Sequence, residues 1–165
     1  MTPTPSRLWK GMTPEQRRRA ASTLWTADEA TSEQAQAVLL IAKHMKFRPK
    51  TVTGLDAERK TRYLAGVLDL PDELAARVLV LYHLAEQRPM MGAFLDGLGI
   101  AHDDGLIHDE AIRPDPAKIA PAAAALATQF PAPDVALYLN TLLWQDPEAW
   151  APLETVPEVA APPTG

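Results

Sequence analysis

The sequence predicts an all-α protein, on three observations. Nearly every segment between the two ends carries apolar residues at helical spacing. Capping residues and prolines stand where helices would begin, and glycines stand where they would stop. No segment sustains the two-residue alternation of a half-buried strand. The expected architecture is a single-domain irregular or orthogonal bundle of six or seven helices over residues 1–150, with a small turn or hairpin near 99–108. A flexible Pro-rich tail is expected over 151–165, where proline is frequent and periodicity is absent. At 165 residues, 47% of them hydrophobic, the chain is long enough to bury one core.

Taken in order, the elements have legible starts. Thr13 offers a cap hydroxyl and Pro14 suits a first helical position, so a helix is expected from Pro14 to Leu24. From Ser32, the segment SEQAQAVLLIAKHM places Ala35, Val38, Ile41, Ala42 and Met45 on one expected core-facing stripe, and Pro49 bars its simple continuation. Asp56 caps AERKTRYLAGVL. Pro71 then opens DELAARVLVLYHLAEQR, with Glu73 and Arg77 spaced for an ion pair. The middle of that helix, Val78 to Tyr82, is apolar on every side, which predicts a central, enclosed rod. PMMGAFLDGL reads as a short helix stopped at Gly97 or Gly99, and PAKIAPAAAALATQF as a helix started or interrupted by Pro121. Finally PDVALYLNTLLWQ carries Val135, Leu139 and Leu142 on one face, expected to pack on the central helix. Trp9, Trp25, Trp144 and Trp150 lie toward the two ends and are expected to help the terminal helices close over one another.

Composition excludes several chemistries. With no cysteine there is no disulfide, no thiolate metal site and no cysteine nucleophile, which suits a reducing, cytoplasmic setting. The opening MTPTPSRLWK lacks the apolar core of a signal peptide, and the nearly apolar run IAPAAAALA is too short to cross a bilayer. Net charge is −5 but unevenly spread. Residues 1–62 hold twelve basic and six acidic residues, a net +6, whereas 63–165 hold four basic and fifteen acidic, a net −11. Such asymmetry points to an anionic partner for the first part or to faces that neutralise one another.

Three groups of residues are candidate sites. GIAHDDGLIHDE, residues 99–110, sets His102 and His108 among carboxylates that include Asp104, a donor set suited to zinc, iron or manganese. An EF-hand alignment on Gly105 fails, because Ile100 and Ala111 then occupy the first and last ligand positions. A two-residue turn at Asp104-Gly105 would send the two histidines to opposite faces, and a three-residue loop would bring them to one. His83 and Glu86, three apart on the central helix, share a face and complete the metal alternative. The four glycines between 92 and 105 follow no strand and precede no Gly-Lys-Ser/Thr, so no phosphate cradle is indicated, and Ser6, Ser22 and Ser32 lie outside any nucleophile elbow.

The second group is basic: Lys43, Lys46, Arg48, Lys50, Arg59, Lys60 and Arg62 could meet phosphates, giving salt-dependent, largely sequence-blind nucleic-acid binding. No helix-turn-helix spacing supports it, since about ten residues separate Met45 from Asp56. The third is apolar: Met90, Met91, Phe94 and Leu95 follow Pro89, and an exposed methionine-rich cluster of this kind would suit a protein partner. Such a cluster is otherwise core. The resulting reading is a non-catalytic helical module, without cofactor or membrane segment, that binds a protein. Nucleic-acid binding through 43–62 and a metal enzyme built on His83, His102 and His108 are the alternatives.

Overall fold

The computed structural model describes residues 3–109 and 111–160, and the fold is all-α. Among the described residues are nine α-helices and one hairpin of two short strands. The contacts divide the chain into two compact units, one of Pro5–Ala85 and one from Glu86 onward with Pro3 and Thr4. No described helix is long and apolar enough to cross a membrane.

The first unit begins with α1 (Pro5–Gly11) and α2 (Pro14–Thr26). The Thr13 hydroxyl accepts from the Gln16 N–H at 3.1 Å, and the Gln16 side chain accepts from the Thr13 N–H at 3.0 Å. This reciprocal cap fixes the start of α2. Next come α3 (Thr31–Met45), α4 (Pro49–Thr53) and α5 (Ala57–Ala65). Asp56 caps α5 as its position predicts, its carboxylate accepting from Arg59 N–H at 2.8 Å. The short helices α1 and α4 escape sequence reading because five to seven residues scarcely display a period.

Within this unit, α2 and α5 run antiparallel. Arg17, early in α2, donates from Nε to the carbonyl of Ala65 at the end of α5, while Lys60, early in α5, lies over the ring of Trp25 near the end of α2. The Trp9 indole is fully buried and donates to the Val67 carbonyl at 2.8 Å, which ties α1 to the segment after α5.

Helix α6 (Asp72–Glu86) is enclosed as expected: no residue from Leu74 to Leu84 is exposed. Arg19 of α2 lies 6.0 Å from the centre of the Tyr82 ring. Arg77 does not pair with Glu73, four residues earlier, but reaches Glu33 of α3 at 3.9 Å. A bridge between helices replaces the expected one along a single helix.

In the second unit, α7 (Arg88–Leu98) ends where Gly99 adopts φ +72°, the left-handed conformation a glycine stop supplies. The hairpin follows, β1 (His102–Asp103) with β2 (Leu106–Ile107), and then α8 (Pro116–Ala127) and α9 (Ala132–Gln145). Pro121 sits inside α8 and removes one helical hydrogen bond without ending the helix, whose start is capped by Asp115. A Cβ at Gly97 would stand 3.3 Å from that of Ala122, a measure of how closely α7 and α8 approach.

The flexible tail expected from 151 is not what residues 151–159 form. They make two 3-10 turns, Ala151–Thr155 and Pro157–Val159, and Leu153 and Val156 enter the core of this unit. Two apolar side chains anchor a segment that lacks any helical period, so burial overrides the local pattern. Residues 161–165 lie outside the described residues.

If α6 is the enclosed rod described, Leu79→Ala should lower unfolding free energy by about 2–5 kcal/mol in chemical denaturation. The exposed Leu39→Ala should change it by less than about 0.5 kcal/mol. Equal effects at the two positions would contradict this placement.

Candidate partner-binding site

The methionine-rich segment is core. Met90 is fully buried, Phe94 and Leu95 nearly so, and half-buried Met91 packs on the same cluster. Phe94 meets Tyr138 edge-on at 5.8 Å and Trp150 at the same distance. Burial raises the Tyr138 hydroxyl pKa well above its ordinary value. The four side chains proposed for partner binding therefore do not form an open docking face. Their helical spacing satisfies the core of their own unit first.

The hairpin register answers the histidine question. His102 pairs with Ile107 and Asp103 with Leu106, leaving Asp104 and Gly105 as a two-residue turn. Their φ values of +50° and +88° match the mirror-image turn that suits hairpin twist. In this register His102 and His108 leave opposite faces. His102 is instead a structural latch: its Nε2–H donates to Asp96 at 2.8 Å and its Nδ1 accepts from Gly105 N–H at 3.0 Å. His83 is buried, with Nδ1–H donating to the Leu79 carbonyl at 2.8 Å, whereas Glu86 is exposed and Asp104 lies 3.8 Å from Arg88. Among the described residues, no three histidine, aspartate or glutamate side chains gather to hold a metal.

The basic segment is on the surface. Lys43, Lys46, Arg48, Lys50, Arg59 and Arg62 are exposed, and none makes an ion pair with a carboxylate among the described residues. Lys60 differs. It is half-buried, its ammonium 4.8 Å from the centre of the Trp25 ring, a cation held on an aromatic face.

Trp25 and Lys60 line an open groove of about 460 Å³, together with Ala35, Val38 and Leu39 of α3 and Thr53 of α4. Leu39 is 59% exposed. The buried stripe of α3 is Ala37, Ile41 and Ala42, whereas Ala35 is exposed and Val38 half-buried. The core-facing stripe expected for α3 is thus rotated, and its residual apolar side faces the groove. Lys43 is one turn beyond Leu39 on this exposed side of α3. Gln34 closes one edge by donating to the carbonyls of Leu24 and Ala27. The Trp25 indole N–H is buried and meets no acceptor among the described residues.

Sequence reasoning missed Leu39 and placed Val38 in the core. Seven consecutive residues, Ala37 to Lys43, contain six apolar ones, so the phase of burial around α3 is ambiguous until its neighbours are known. The unpaired phase was the only available signal.

A second basin, of about 560 Å³, is lined by Arg17, Arg18, Arg62, Glu15 and Gly66. Arg17 is committed to structure there, donating to the carbonyls of Ala65 and Met12. Burial lowers its pKa from the usual arginine value.

No protein-family model, curated protein or solved structure matches the chain.

The latch has a spectroscopic consequence. In long-range 15N–1H spectra, neutral His102 should carry its proton on Nε2, and Gly105→Ala should destabilise the protein by about 1–3 kcal/mol through left-handed strain. A methyl at Gly105 would also stand 2.9 Å from Met91 Cβ. A proton on Nδ1 would contradict the hydrogen-bond assignment.

Proposed function

We propose that this chain is a non-catalytic protein-binding module, acting in the cytoplasm, whose basic helical unit receives an acidic protein segment. The observation that carries the reading is the groove in which exposed Leu39 lies beside the Trp25 ring and Lys60. An apolar floor beside cations suits a partner that presents aliphatic side chains flanked by carboxylates. The charge of each unit supports the same direction. Residues 5–85 hold thirteen basic and nine acidic residues, a net +4, and residues 86–165 hold three basic and twelve acidic, a net −9. An acidic partner would be steered toward the first unit, with a salt-sensitive on-rate.

Nucleic-acid binding is a second reading, favoured by six exposed cations between Lys43 and Arg62 that make no ion pair with a carboxylate among the described residues. Phe47 is partly exposed among them and stacks edge-on with Tyr63 at 5.8 Å. The protein reading accounts for more of the surface. Phosphates would engage the cations but leave Leu39 and Val38 without a role.

Fluorescence polarisation with a labelled helical peptide, leucine on one face and glutamate on the other, tests the choice. Binding should weaken at least about tenfold in Leu39→Asp, a loss of about 1.4 kcal/mol, and should also fall on adding salt. Binding indifferent to Leu39→Asp would overturn the groove. Absence of peptide binding alongside steeply salt-dependent binding of a duplex oligonucleotide would replace this reading with the second.

A further inference from the structure

We infer that the groove of one molecule receives the hairpin segment of a second copy of this chain. The inference rests on the proposed protein-binding role of the groove and names its occupant. Six large hydrophobic residues stand exposed among the described residues, and they divide evenly between the units. Leu39, Phe47 and Leu68 belong to the basic unit. Leu106, Ile107 and Ile112 belong to the acidic one, within seven residues of chain.

The second set has the chemistry that the groove requires. Asp103 and Leu106 pair across the hairpin, so their exposed side chains share one face and form the strip, while Ile107 leaves the other face with His102. The strip is aliphatic and acidic, whereas the groove offers Leu39 and Trp25 beside Lys60, with Lys43 one turn along α3. Opposite charge and shared apolar character both favour contact between one copy's strip and another's groove.

The strip is also held ready. The left-handed turn at Asp104 and Gly105 fixes the hairpin, His102 latches it to Asp96, and Gly105 lies against the backbone of α7 so closely that a Cβ would meet the Arg88 carbonyl at 3.0 Å. Docking a segment already fixed in shape sacrifices little conformational freedom. Because strip and groove are different patches, the contact is head-to-tail, and each added copy leaves one groove and one strip open unless the assembly closes into a ring.

Light scattering and sedimentation velocity on the full chain, from about 1 µM to about 1 mM, cover the range in which small interfaces exchange. The weight-average mass should rise with concentration and fall with salt. Leu39→Asp disables the groove, and Leu106→Lys disables the strip. Each should weaken self-association at least about tenfold while leaving the circular dichroism spectrum and melting temperature unchanged, since both positions are exposed. An equimolar mixture of the two variants should form a heterodimer and stop there, because the pair retains one working groove and one working strip.

Wild-type protein that stays monomeric throughout would overturn the inference, as would self-association indifferent to both variants or a mixture that fails to dimerise. The peptide experiment separates the two levels. A monomer that still binds the acidic helical peptide through Leu39 loses the second copy as occupant but retains the protein-binding role. A monomer that binds no peptide loses both.

Discussion

The antiparallel seam between α2 and α5 is the constraint on which the candidate surface depends. Arg17 closes one end, directing its guanidinium to the carbonyl of Ala65, where a cation also complements the negative end of a helix. At the other end the Lys60 ammonium rests on the Trp25 ring. Between these clamps the helices hold a fixed register, and that register sets the stacked pair of Trp25 and Lys60 in the groove lined also by Val38 and Leu39 of α3. A slip along the seam would separate cation from ring and dissolve the groove.

Core formation and surface chemistry divide along the same line in both units. Trp9, Leu24, Ile41 and Leu64 are completely buried in the first unit, as Met90, Ile119 and Leu139 are in the second. Burial of this extent provides the principal favourable contribution to folding without assistance from the charges. The cations of α3 to α5 consequently remain on the surface, without carboxylate partners among the described residues, and the hairpin aliphatics remain partly open to solvent. Exposed groups that the fold does not use are the natural place to look for a binding role.

Helix boundaries were legible because their chemistry is local. The caps at Thr13 and Asp56, the stop at Gly99 and the Asp104-Gly105 turn each rely on hydrogen bonds or φ preferences reaching only a few residues. The enclosed α6 was equally readable, since a helix apolar all round admits few other placements. What could not be read was which apolar face wins burial. Met90 and Phe94 resemble an adaptable binding surface in sequence and are core in space, while Val38 resembles core and lines a groove. Both depend on partners distant in the chain, as does the capture of Leu153 from a proline-rich stretch without period. The histidine pair shows the intermediate case, in which local turn chemistry offered two registers and the fold adopted the one that separates His102 from His108.

The central claim is that the Trp25 face of α2, covered by Lys60, is where a partner's apolar and acidic side chains arrive. A 15N–1H correlation spectrum resolves the four indole N–H groups and tests this directly. On titration with the acidic helical peptide, the Trp25 indole signal should move progressively while that of fully buried Trp9 stays in place. Saturable binding that leaves the Trp25 signal unmoved would contradict the account.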